Sequence, residues 1–180
     1  MRIAVSGSHC CGKSTLIADF LAAHPEFIHE PEPYEWLQEL YGEEFDEQPS
    51  AGDFYRQLEF AVQRLATFER GANVIVERSP ADFVAYLLAL RDLGRDPDAA
   101  ELLDSATELA ARGLSQLDLV VFLPLSDRIT APDSEDLGLR DAANDCLAEI
   151  LHGDDKVIEV DGTRAERLAA LTACVEQMQE

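Results

Sequence analysis

Gly7-Ser8-His9-Cys10-Cys11-Gly12-Lys13-Ser14-Thr15 is the stretch that decides the fold. It spells G-x-x-x-x-G-K-[ST], and its flanks matter as much as its letters. Apolar Ile3-Ala4-Val5 precedes it, and Leu16, Ile17, Phe20 and Leu21 follow at helical spacing. Strand, glycine loop, helix is the context in which this pattern forms a phosphate cradle. Gly7 and Gly12 free the backbone to turn successive N–H groups inward around an anion. The helix that follows adds unpaired N–H groups and a dipole of the right sign. All nine residues are candidate nucleotide ligands, with Lys13 directed at the β- and γ-phosphates and Ser14 at Mg²⁺. The chain therefore reads as one that binds a nucleoside triphosphate, with ATP and Mg²⁺ as the expected pair.

Outward from the loop, apolar runs at 2–6, 26–30, 72–77, 118–123 and 156–160 read as strands. Helical patterns lie between them, at 13–23, 34–41, 53–70, 80–93, 97–116, 135–151 and 163–178. Strands alternating with helices predict an α/β fold, a five-stranded parallel sheet with helices on both faces. The length of 180 residues suits one domain with a buried core. Residues 42–52, with Gly42, Pro49, Ser50 and Gly52 among acids, read as a mobile loop at the ligand-binding end of the sheet. The stripe Phe54, Leu58, Ala61, Leu65 and Phe68 leaves two readings open: a face that pairs with a second copy in a homodimer, or core.

The net charge of −22, from 36 acids against 14 basic residues, repels nucleic-acid backbones and anionic membranes. A small-molecule partner is expected, and no nucleic acid or membrane. No run is long and apolar enough for a membrane span, and Met1 leads straight into a strand rather than a secretory signal. A cytoplasmic location is the expectation. The four cysteines lack zinc spacing and read as packing residues in a reducing compartment. Cys10 and Cys11 sit in the anion site, where positive potential lowers a thiol's pKa, so a redox switch there is the alternative.

A second block, Val74-Ile75-Val76-Glu77-Arg78-Ser79-Pro80-Ala81-Asp82 with Val84-Ala85-Tyr86, places an acid, an arginine and a helix cap at the end of a strand. It resembles the E-R-S motif of the deoxynucleoside kinases. It is equally similar to the D-R-x-x-x-D-x-x-A-Y block of the nicotinamide-riboside-kinase-like P-loop family. Glu30-Pro31, followed by Trp36, resembles the E-P-x-x-x-W region of the first family, with the tryptophan spacing off by one. Gln57 and Arg64, seven apart on one helix, resemble the pair with which those kinases read a base.

This resemblance implies a three-layer P-loop NTPase fold with a small lid at about 124–140. It also implies an ATP-dependent phosphotransferase acting on a hydroxyl-bearing acceptor, a nucleoside or nucleoside-like compound. By the same resemblance Glu30 is the general base, with Glu32 competing for the role, and Glu77 holds Mg²⁺ with Ser14. Arg78 contacts the transferring phosphoryl or the acceptor hydroxyl region. Trp36, Gln57, Arg64 and Asp82 bind the acceptor. Glu135-Asp136-Leu137-Gly138-Leu139-Arg140 resembles a D-G-x-R lid whose Arg140 swings onto the phosphates, and Arg128 lies in the same segment. Asp161-Gly162-Thr163-Arg164 falls where P-loop kinases receive the adenine, so Gly162 and Thr163 join the nucleotide ligands. Two other functions stay open: a thymidylate-type nucleotide kinase, and a regulatory ATPase or nucleotide-binding switch.

Overall fold

The structure is a computed structural model and describes residues 1–44, 48–69, 71–132 and 135–179. Parts of the expected loop 42–52 and lid 124–140, and the last residue of the expected helix 53–70, lie outside the described residues. The strands are β1 (Arg2–Ser6), β2 (Ile28–Glu30), β3 (Val74–Glu77), β4 (Leu119–Phe122) and β5 (Val157–Glu159). They pair in parallel in the order β2-β3-β1-β4-β5. Around them pack α1 (Lys13–Ala23), α2 (Pro33–Tyr41), α3 (Ala51–Thr67), α4 (Pro80–Asp92), α5 (Asp98–Leu114), α6 (Leu137–Leu151) and α7 (Arg164–Gln179).

The two-residue period of β1 divides the core. Ile3 and Val5 meet Leu16, Ile17 and Phe20 of α1 and Leu171 and Val175 of α7. Ala4 faces the other way, with Val76 and Val120, toward Leu65, Ala85 and Leu147. On that side α4 is apolar around most of its circumference, because it touches the sheet and is also covered by α3, α5 and α6. Phe54, Leu58 and Ala61 of α3 are buried in this layer, so the stripe that left pairing open is core.

Two of the boundaries that moved have local reasons. β3 begins at Val74, whose N–H donates to Met1 O at 2.9 Å and opens the ladder with β1 at the Arg2–Val74 pair. α3 begins at Ala51, because Ser50 and Asp53 form a reciprocal capping box.

The order of the strands positions the site. From β1 the chain passes first to β2 and β3 on one side, then to β4 and β5 on the other. The carboxyl end of β1 is thus the switch point at which such sheets bind ligands. Val5 pairs with Glu77, Arg78 N donates to Val5 O (3.0 Å), and Leu123 N donates to Ser6 O (2.9 Å). Both neighbouring strands therefore brace the loop that leaves β1.

Candidate active site

Gly7 has φ +153°, and a Cβ there would lie 2.5 Å from Cys11 Sγ and 2.7 Å from the carbonyl oxygen of Leu123. Gly12, at φ +99°, is the N-cap of α1 and supplies no side-chain cap. The first N–H groups of α1 are thus left for an anion rather than a side chain. Lys13 is buried, its Nζ donating to Ser8 O at 3.0 Å across the loop. Ser8 Oγ is buried without a partner among the described residues. A narrow backbone cradle, an uncapped helix and an orphaned hydroxyl suit a triphosphate.

Ser14 Oγ donates to Glu77 Oε1 at 2.8 Å. Burial raises the Glu77 pKa above the ordinary value, and the nearby Glu32 charge adds to the rise. A hydroxyl and one carboxylate at the phosphate end fit Mg²⁺, a hard ion that keeps waters and takes its other oxygens from phosphates. Among the described residues no group of three or more His, Cys, Asp or Glu forms a metal cage.

Two cavities flank the loop. The one beside Gly12 and Thr15 holds about 360 Å³ and is walled by Arg128, Ile129, Gly162, Thr163 and Arg167. Arg167 is its keystone. Buried on α7, it donates to Cys11 O at 2.7 Å and to Gly162 O at 3.1 Å, joining the phosphate loop to the turn after β5. Arg128 crosses from the segment after β4 to Asp161 at 3.2 Å.

The second cavity, about 1070 Å³, opens on the other side, beside His9. Its wall includes Glu32, Phe54, Gln57, Arg78, Arg95 and Arg140. Arg78 is buried at its floor with left-handed backbone, φ +69°. Such a conformation costs about 1–3 kcal/mol in a residue other than glycine and persists where the surroundings enforce it. Arg78 Nε donates to Glu32 Oε1 at 3.0 Å, Nη1 lies 3.7 Å from Asp82, and Nη2 has no partner among the described residues. Glu32 also lies 4.0 Å from Lys13 Nζ. Burial works against the Glu32 charge, but Arg78 and Lys13 outweigh it and hold the pKa below the ordinary value.

Several expected residues take other places. Glu30 is in a bidentate pair with Arg64, at 2.6 and 2.9 Å, and does not line the large cleft. Arg64 is held there between Trp36 (5.4 Å) and Phe68 (5.7 Å), so of the pair on α3 only Gln57 reaches the cleft. Trp36 is away from it as well. Asp82 has no exposed surface and accepts from Ser79 N, Ser79 Oγ and Gly7 N, which makes it a helix cap and a brace for the loop. Arg140 is already seated, its Nε donating to His9 O at 2.9 Å and one terminal nitrogen to Cys10 O at 3.4 Å. The redox alternative loses its basis. Cys11 is buried, and burial together with Glu135 pushes the exposed Cys10 thiol above its ordinary pKa. Arg167 and Tyr86 had no claim from spacing alone. Tyr86 stood in the quoted block, and its hydroxyl lies 3.0 Å from both His9 N and His9 Nδ1.

The family model described as the AAA domain matches residues 2–167. The chain belongs to this AAA-domain family. Among solved structures it is similar to the NadR protein in complex with NAD and AMP-PNP, with a TM-score of 0.70 and 20% identity. That match covers 97% of this chain and 48% of the other, so the AAA-domain chain spans about half the length of NadR. A deoxyadenosine kinase from M. mycoides, solved with dCMP and dCDP, matches with a TM-score of 0.72 and 17% identity over 99% of this chain and 100% of its own. Thymidylate kinase from Candida albicans matches with a TM-score of 0.71 and 19% identity, over 99% and 92%. Among curated proteins nothing matches. The three-layer α/β fold is that of P-loop kinases, as the resemblance implied. Among the described residues no helix is long and apolar enough to cross a membrane.

Proposed function

We propose that this chain is an ATP- and Mg²⁺-dependent kinase that transfers the γ-phosphoryl group to a hydroxyl of a small acceptor, a nucleoside or nucleoside-like compound. The observation that carries the reading is the Lys13–Glu32–Arg78 cluster between two cavities on opposite sides of one phosphate loop. One cavity suits the nucleoside end of ATP, and the other is roomy enough for an acceptor. The chain works as a single domain in the cytoplasm, with 124–140 as its lid.

Ser14 and Glu77 are the residues that would hold Mg²⁺, which when bound neutralises charge on the phosphate oxygens. Lys13 exchanges Ser8 O for phosphate. Glu32 takes the role considered for Glu30: it faces the cleft and is ionised through the neutral range, ready to accept the proton of the acceptor hydroxyl. Arg78 Nη2 is the buried donor left over for the transferring group. Gln57 and Phe54 line the seat of the acceptor, and Arg140 holds the loop from the lid side. Arg128, Gly162, Thr163 and Arg167 line the nucleoside seat of ATP.

A phosphorylated acceptor suits the cleft less well. Arg78 is paired with Glu32, Arg95 with Asp136, and Arg140 is engaged with loop carbonyls. A thymidylate-type acceptor would bring a phosphate that has to draw these arginines away from partners they already hold. The test is mass spectrometry of the purified chain with Mg²⁺-ATP and pooled nucleosides, nicotinamide riboside and nucleoside monophosphates, with Lys13→Ala as control. A phosphorylated nucleoside made only by the wild type supports the reading. Diphosphates formed instead would favour the nucleotide kinase, and ATP loss without an acceptor would favour a regulatory ATPase.

A further inference from the structure

His9 lies within the phosphate loop, yet its side chain lines the acceptor cleft and not the nucleoside cavity. Its surroundings define its hydrogens. The backbone N–H of His9 donates to the Tyr86 hydroxyl at 3.0 Å. That hydroxyl is buried, with 1% of the residue exposed, and must place its own hydrogen. Among the described residues the acceptor it meets is His9 Nδ1, at 3.0 Å. Glu135 Oε1 lies 3.4 Å from the same nitrogen, but among the described residues the hydrogen bond Nδ1 makes is the shorter one to Tyr86. Nδ1 is therefore the acceptor, and the ring hydrogen sits on Nε2. Nε2 itself has no partner among the described residues.

We propose that His9 belongs to the acceptor side of the reaction and presents its Nε2–H to an uncharged oxygen of the acceptor, with Tyr86 the positioning residue that sets the tautomer. The inference rests on the kinase reading. Several groups face the ring. Burial, Arg78, Lys13 and Arg140 all disfavour the imidazolium, against Glu32, and bring the pKa down to about 3, and Glu135 also faces the ring. An uncharged donor complements a cleft whose arginines are already engaged, and it suits a hydroxyl, ether or carbonyl oxygen rather than a phosphate. Tyr86 also ties the donor to the acceptor's seat. Its ring stacks on Phe54, which lines the cleft, with centroids 4.6 Å apart and planes at 12°. Arg78 lies over the same ring at 5.4 Å.

Two measurements test this on the full chain. Long-range ¹H–¹⁵N correlation of histidine-labelled protein reports the tautomer, with His9→Gln identifying the His9 signals among the four histidines. The expected result is the Nε2–H pattern, unchanged from about pH 8 to about pH 5. In Tyr86→Phe, Nδ1 loses its donor and the pattern becomes a mixture. An Nδ1–H pattern in the wild type, or titration near the ordinary histidine value, overturns the inference. The second measurement is the steady-state kinetics of His9→Ala. The acceptor KM should rise about tenfold, the loss of one neutral hydrogen bond, with the ATP KM within about twofold. A shift in the ATP KM alone would assign His9 to the nucleotide side and sink the proposal. If the wild type phosphorylates nothing, the kinase reading and the acceptor role fall together, while the tautomer result still stands. If it is a kinase and His9→Ala leaves the acceptor KM unchanged, only the inference falls.

Discussion

Replacing Asp82 by alanine removes a carboxylate on which four groups depend. Ser79 N, Ser79 Oγ and Gly7 N donate to it at 2.8, 2.9 and 2.9 Å, and Arg78 Nη1 lies 3.7 Å away. All of them are buried. In the variant, Ser79 N and Gly7 N lose their partner, and a buried unsatisfied donor costs about 1–3 kcal/mol. Arg78 keeps Glu32 but loses its second counter-charge, and breaking a buried pair costs about 3–5 kcal/mol in all. Ser79 Oγ still accepts from Ala81 N at 3.2 Å, so part of the cap survives. These terms overlap, and about 4 kcal/mol is the expected net loss. With a urea slope of about 2 kcal/mol per molar, the unfolding midpoint should fall by about 2 M. Circular dichroism in urea measures it. A fall below about 0.5 M, with a raised acceptor KM, would refute the structural role and return Asp82 to the substrate contact that its motif implied.

Glu32→Gln should cut kcat by about 10²–10³ through loss of the proton acceptor, while ATP affinity stays within a few fold, because Lys13 keeps Ser8 O and Arg78 keeps Asp82 when the Glu32 charge is gone. Glu30→Gln should weaken folding and spare kcat; the reverse pattern in single-turnover assays would move the base to Glu30. Gly7→Ala should abolish nucleotide binding, since its Cβ would meet Cys11 Sγ at 2.5 Å and the Leu123 carbonyl at 2.7 Å. Calorimetry showing ordinary ATP affinity in that variant would contradict the loop geometry. His9 contributes to acid sensitivity with a definite sign. Its folded pKa of about 3 lies below the unfolded 6.5, so the unfolded chain binds more protons between those values and stability falls with acidification through that window. His9→Gln should flatten the slope of midpoint against pH there, and an unchanged slope would show that His9 is not held neutral.

Much of the architecture was legible because it rests on local patterns. The apolar runs around Ile3-Ala4-Val5 and Val74-Ile75-Val76 carry the signature of strands buried on both faces. At two of the boundaries that differed, a helix cap and the first ladder bond to the neighbouring strand set the edge, at Ser50 and at Val74. The site was legible in unequal parts. The phosphate loop is contiguous, so its spacing alone announces its geometry. The residues proposed for the acceptor side come from the segments after β2 and β3, from α3 and from α6, and depend on which way each side chain turns. Two glutamates two residues apart, Glu30 and Glu32, cannot be ranked by spacing. In our proposal Arg64 separates them, by occupying both oxygens of Glu30 from a helix more than thirty residues away in sequence.

The sequence by itself therefore determined the α/β class, the phosphate loop with Lys13 and Ser14, and the acid and arginine that close β3. Those features follow from backbone freedom, local periodicity and residues adjacent in the chain. Only the tertiary structure decided that Asp82 braces the loop, that Arg140 is seated on its carbonyls, and that Arg167 joins it to the turn after β5. It alone brought Tyr86 to His9. Each of those contacts joins residues far apart in sequence, and buried polar groups choose their partners by what packing brings within hydrogen-bond reach.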